Sequence, residues 1–113
     1  MKIAYFGFDL FYDCLQMLID SGHEILKIFT CDVDGDYEQN VRTYAAAKEY
    51  GIEITKEKPD ADMLYELYER GCQLTVSAGY YFKIPVVQSL MQVNIHPSLL
   101  PQGRGPWPQP VAI

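Results

Sequence analysis

Apolar residues in this chain recur with two alternating periods. Residues 2–6 read Lys-Ile-Ala-Tyr-Phe and stop at Gly7, the signature of a strand buried on both faces. From Asp9 the period changes: Phe11, Cys14, Leu15 and Leu18 follow the i, i+3, i+4, i+7 spacing of one helix face, with Asp9 as cap and Gly22 as stop. A second strand is predicted over residues 24–30, a helix over 41–50 ended by Gly51, and a short third strand over 52–55. Pro59-Asp60 opens a further helix with Met63, Leu64, Leu67 and Tyr68 facing inward and Gly71 as its stop. A fourth strand follows over 73–78, then a loop over 79–84, a helical turn over 85–90 and a fifth strand over 91–95.

Strands alternating with helices define an α/β domain with a mostly parallel sheet in three layers, a Rossmann-like architecture. All 113 residues suffice for one such domain and not for two. The apolar ending Val111-Ala112-Ile113 resembles the opening of another helix, so the domain is expected to be incomplete at its C-terminus. Ligands bind parallel sheets beyond the carboxyl ends of the strands. Three segments fall there: residues 7–9, 79–84 and 96–108.

Composition narrows the chemistry. The apolar fraction is 49% and no apolar run nears the length of a membrane span, which places the chain among ordinary cytoplasmic globular proteins. Three cysteines, Cys14, Cys31 and Cys72, form no C-x-x-C pair and cannot close a disulfide framework. The net charge of −6 is concentrated between Cys31 and Arg70, where eleven acids face five bases. Nucleic-acid binding needs a basic surface, and this half has none. Asp32, Asp34, Asp36 and Glu38 mimic a calcium loop, but Tyr37 stands where glycine is required and Thr43 where glutamate is required. No metal site is expected.

The most informative stretch is Asn94-Ile95-His96-Pro97. Side chains two apart on a strand share a face, so Asn94 and His96 are expected to emerge together at the sheet's carboxyl edge while Ile95 enters the core. A side-chain amide and an imidazolium aimed at one point can stabilise the oxyanion of a tetrahedral intermediate. A lone histidine at a strand end is more often structural, and the loop that follows alters that balance. It reads Ser98-Leu99-Leu100-Pro101, then Arg104-Gly105 and Pro108.

N-x-H-x-S-L-L-P followed by R-G-x-x-P resembles the motif of the 10-formyltetrahydrofolate-dependent formyltransferases. That family includes methionyl-tRNA formyltransferase, the sugar-nucleotide N-formyltransferases and, more distantly, glycinamide ribonucleotide formyltransferase. Residues 3–7, 21–23 and 77–81 also sit where the family's first strand, first helix end and folate loop fall, so the resemblance covers nearly the whole chain. It implies the N-terminal formyltransferase fold and 10-formyltetrahydrofolate as co-substrate. It implies catalytic roles for Asn94 and His96 and a cofactor-binding loop containing Tyr80, Tyr81, Phe82, Lys83 and Ile84. Backbone groups there would hold the pterin, the aromatics would flank its ring, and Lys83 would approach its glutamate tail. Gly7, Asp9, Ser98 and Arg104 would face the acceptor. Tyr80 or Phe82 taken singly could equally pack the core, and Gly7-Phe8-Asp9 could be a tight turn with an Asp cap.

The family's pattern also carries an aspartate beyond the histidine, and none lies between Pro97 and Ile113, so these residues alone are expected to be inactive. The methionyl-tRNA enzymes have a longer, basic loop where this chain has a short acidic one. That departure favours a small amine acceptor, such as an amino sugar on a nucleotide, over tRNA. The rival class is a non-catalytic Rossmann-like binding module.

Overall fold

The computed structural model describes residues 1–31 and 40–95. Five strands, β1 (Lys2–Gly7), β2 (Glu24–Phe29), β3 (Glu53–Thr55), β4 (Leu74–Ala78) and β5 (Met91–Ile95), form one sheet in the order β3-β2-β1-β4-β5. Every neighbouring pair is parallel. Three helices, α1 (Tyr12–Asp20), α2 (Val41–Tyr50) and α3 (Ala61–Glu69), supply the outer layers.

The strand order explains where each helix lies. Moving from β1 to β2 to β3, right-handed crossovers put α1 and α2 on the same face. The chain then reverses direction to reach β4 on the other side of β1, which puts α3 on the opposite face. Two cores result. Ile3, Tyr5, Ile28 and Val76 meet Leu15 and Leu18 of α1 and Ala46 and Ala47 of α2. Ala4, Phe6 and Phe29 meet Leu64 and Leu67 of α3 together with Val87 and Leu90. Burial of each such leucine contributes about 2 kcal/mol.

Most expected elements are present, with instructive exceptions. A register shift between β1 and β2 lets Ile25 and Ile28 both enter the first core despite their three-residue spacing, so the period of two is broken by a bulge. Tyr68 is exposed, not inward, because it stands on the shoulder of the α3 stripe whose centre is Leu64 and Leu67. Asp60 caps α3 as anticipated, accepting from the Met63 backbone N–H at 2.8 Å. Asp9 does not cap its own helix; it begins a 3-10 turn, Asp9–Phe11, and its carboxylate serves α2 instead.

Residues 85–90 are not helical: the backbone runs irregularly to a turn in which the Leu90 N–H donates to the Val87 carbonyl. Pro85 followed by two β-branched valines is poor material for a helix. Among the described residues no helix is long and apolar enough to cross a membrane.

Candidate functional site

The sheet changes topological direction between β1 and β4, and the carboxyl ends of these strands lead into residues 7–9 and 79–84. The α3 face of the sheet grades from hydrocarbon to amide across this point. Ala4 and Phe6 on β1 give way to Thr75 and Ser77 on β4, and these to Gln92 and Asn94 on β5, where Thr75 pairs with Gln92 and Ser77 with Asn94. A cavity of about 320 Å³ opens over the polar end of that face. Its floor includes Ser77, Gln92 and Asn94, and its wall is built by Tyr80, Phe82 and Lys83. The volume lies near the lower bound for small-molecule sites, and the lining combines aromatic surface with a few converging polar groups.

The aromatic wall is anchored from the middle of the sheet. Phe29 stacks on Phe6 with centroids 4.5 Å apart, Phe6 meets the edge of Tyr80 at 5.5 Å, and Tyr80 meets Phe82 at 5.7 Å. The Lys58 ammonium sits 4.5 Å from the Phe82 centroid. Tyr81 faces elsewhere: its ring packs at 5.3 Å on the buried Phe8. Of the five residues expected along the cofactor loop, Tyr80, Phe82, Lys83 and Ile84 therefore line the cavity and Tyr81 does not.

The Tyr80 hydroxyl is buried and has no hydrogen-bond partner among the described residues. Burial, reinforced by nearby Cys31, pushes its pKa up to about 12. A buried phenol without a partner costs free energy that a ligand group could recover.

Gly79 fixes how the loop leaves β4. Its φ is +73°, and a side chain there would run into the Phe11 ring, so the backbone and the aromatic ring share one space. Tyr5 supports the same corner, its hydroxyl donating to the Phe11 carbonyl at 3.3 Å; burial raises its pKa well above the usual phenol value.

The Gly7–Asp9 corner is organised differently. The Asp9 carboxylate accepts from the Arg42 N–H at 2.9 Å, from the Thr43 N–H at 2.7 Å and from the Thr43 hydroxyl at 2.6 Å. Its own N–H donates to the Asn40 side-chain oxygen at 3.1 Å. Asn40, buried and in the left-handed region at φ 46°, completes the junction by donating to the Cys31 carbonyl at 2.7 Å and the Thr30 hydroxyl at 3.3 Å. Gly7 and Asp9 thus stand at the sheet's carboxyl edge, with the carboxylate committed to the α2 N-terminus, where negative charge is favoured.

Asn94 reaches the cavity as its position on β5 predicts, and Ile95 points the other way to pack against the α1 core. His96, Ser98 and Arg104 lie outside the described residues, as does the acidic stretch 32–39. Sequence reasoning missed Thr75, Ser77 and Gln92. Their signal was present: polar residues at every second position of two otherwise apolar strands, in register with Asn94.

An all-parallel, doubly wound sheet, with a cavity over its β4–β5 end, defines a Rossmann-like domain. No protein-family model matches the chain. Methionyl-tRNA formyltransferase of Alkaliphilus oremlandii (strain OhILAs) is 34% identical over 119 aligned residues, covering 96% of this chain and 38% of the relative. Methionyl-tRNA formyltransferase of Blochmanniella pennsylvanica (strain BPEN) is 26% identical over 117 residues, covering 96% of this chain and 36% of the relative. The chain therefore spans a little over a third of the length of these curated relatives. Both relatives that the chain resembles are named as formyltransferases.

Proposed function

We propose that this chain is the folate-binding N-terminal part of an enzyme that transfers a formyl group from 10-formyltetrahydrofolate to an amine. The observation that carries the reading is the cavity in which Asn94 meets the 79–84 loop, in a chain similar to two formyltransferases. The pterin ring enters between Tyr80, Phe82 and the polar strand face, and the carbonyls and N–H groups of the loop satisfy its edge. Lys83 lies on the cavity wall and suits the glutamate tail.

The acceptor amine attacks the formyl carbon, the carbonyl electrons move to oxygen, and the Asn94 amide donates to that oxyanion. Collapse of the intermediate breaks the bond to the folate nitrogen, which takes a proton as the acceptor nitrogen loses one. His96 is assigned the second oxyanion contact and this proton traffic on the strength of the motif. The names carried by the relatives support methionyl-tRNA as the acceptor. The run of four acids with no base over residues 32–39 supports a second reading, a small amine such as an amino sugar on a nucleotide.

The test is formyl transfer by the intact protein, assayed with methionyl-tRNA and with an amino-sugar nucleotide in parallel. Asn94→Ala is expected to lower kcat by roughly a hundredfold while 5-formyltetrahydrofolate still binds. Undetectable folate binding by the intact wild-type protein overturns the proposal. So does an Asn94→Ala turnover within a few-fold of wild type.

A further inference from the structure

The crossover from β4 to β5 contains no regular element, so the backbone polar groups of its cavity-side stretch need partners from outside the stretch. One side chain supplies two. The Gln92 Nε2 donates to the Pro85 carbonyl at 3.0 Å, and its Oε1 accepts from the Val87 N–H at 3.1 Å. A single amide thereby imitates a rung of a β ladder, paired from a side chain and not from a neighbouring strand. Val87 is buried at 2% exposure against α3 and Val86 is turned out at 86%, so the stretch is pinned by one buried side chain and one amide. The residues just before it, Lys83 and Ile84, form the cavity wall. Gln92 itself lines the same cavity and stands two positions before Asn94 on the same strand face.

We infer that Gln92 is a positioning residue for the folate site: its amide holds the 85–87 backbone at a fixed distance from Asn94 and so sets the width of the cavity. The inference rests on the formyltransferase reading above and adds a residue outside its motif. An apolar side chain of the same length fills the space but releases both backbone groups, letting the wall drift while Asn94 stays on its strand. Binding of the donor suffers, and the chemical step does not.

The experiment uses the intact protein with Gln92→Met, and with Gln92→Asn as a polar variant too short to span both backbone groups. Two quantities are read: hydrogen exchange of the Val87 amide without ligand, and the steady-state constants for 10-formyltetrahydrofolate. Both variants are expected to lose Val87 protection and to raise KM roughly tenfold with kcat within about threefold of wild type. Unchanged Val87 exchange, KM within about twofold of wild type, or a loss confined to kcat overturns the inference. A wild-type protein that neither binds nor turns over folate overturns the formyltransferase reading and the positioning role with it. Val87 exchange separates that outcome from failure of the clamp, because it needs no ligand.

Discussion

Two corners flank the switch point of this sheet, and they are built on opposite principles. At residues 7–9 every polar group of Asp9 is spent on the protein: the carboxylate takes three donors from α2, and the backbone N–H is taken by Asn40. At residues 79–84 the loop is braced by aromatic contacts, and a buried hydroxyl on Tyr80 goes without a partner among the described residues. The first corner is a structural junction joining β1 to α2. The second is held by ring contacts beside a cavity. Two corners at one carboxyl edge thus differ in how far their polar atoms are already paired within the protein.

The largest expected effect attacks the geometry that separates the corners. Gly79→Ala combines a strained left-handed backbone with a collision against the Phe11 ring. A stability loss of about 3 kcal/mol is expected from the two costs together, read as a lowered urea midpoint. Adding Phe11→Ala should recover part of the steric component, so the double variant should lose less than the sum of the single losses. Strict additivity would break the claim that loop and ring compete for one space.

The next effect tests the junction itself. Asp9→Ala removes the carboxylate that caps α2 and is expected to cost about 1–2 kcal/mol of stability, measured by denaturant unfolding. Folate affinity should stay near the wild-type value, since Asp9 does not line the cavity. A large loss of folate affinity with little loss of stability would reverse the assignment of the two corners.

How much of this was legible beforehand differs between the two corners for a physical reason. Strand and helix periods declare themselves locally, so β5 and the Asn94 side of the cavity were readable from alternate positions on one strand. The 79–84 loop was singled out by its resemblance, yet the turn of Tyr81 toward Phe8 depends on a ring from the β1 corner that no local pattern reveals. Asp9 was misread for the same reason. An acid just before an apolar helical stripe looks like its cap, whereas the α2 N-terminus that captures it lies more than thirty residues on. Gln92 escaped notice because its partners sit on an irregular stretch whose sequence reads as a helical turn.

The smallest effect sharpens the comparison most, because it has the sign opposite to ordinary mutations. Tyr80→Phe deletes a buried hydroxyl that has no partner among the described residues, leaving the ring contacts with Phe6 and Phe82 in place. The ligand-free protein should be unchanged or stabilised by up to about 1 kcal/mol, seen as an equal or higher Tm at neutral pH. The alkaline limb carries a second signature. With the folded phenol held up to about 12 and an unfolded tyrosine near 10, the folded state binds more protons between those values, so stability falls as pH rises through that window. Tyr5, raised in the same direction, contributes to the fall and remains in the variant. Tyr80→Phe should therefore flatten the pH dependence above pH 10 without abolishing it. A destabilised, ligand-free Tyr80→Phe protein would mean that the phenol is already satisfied, and the contrast between a spent corner and an available one would fail at its second term.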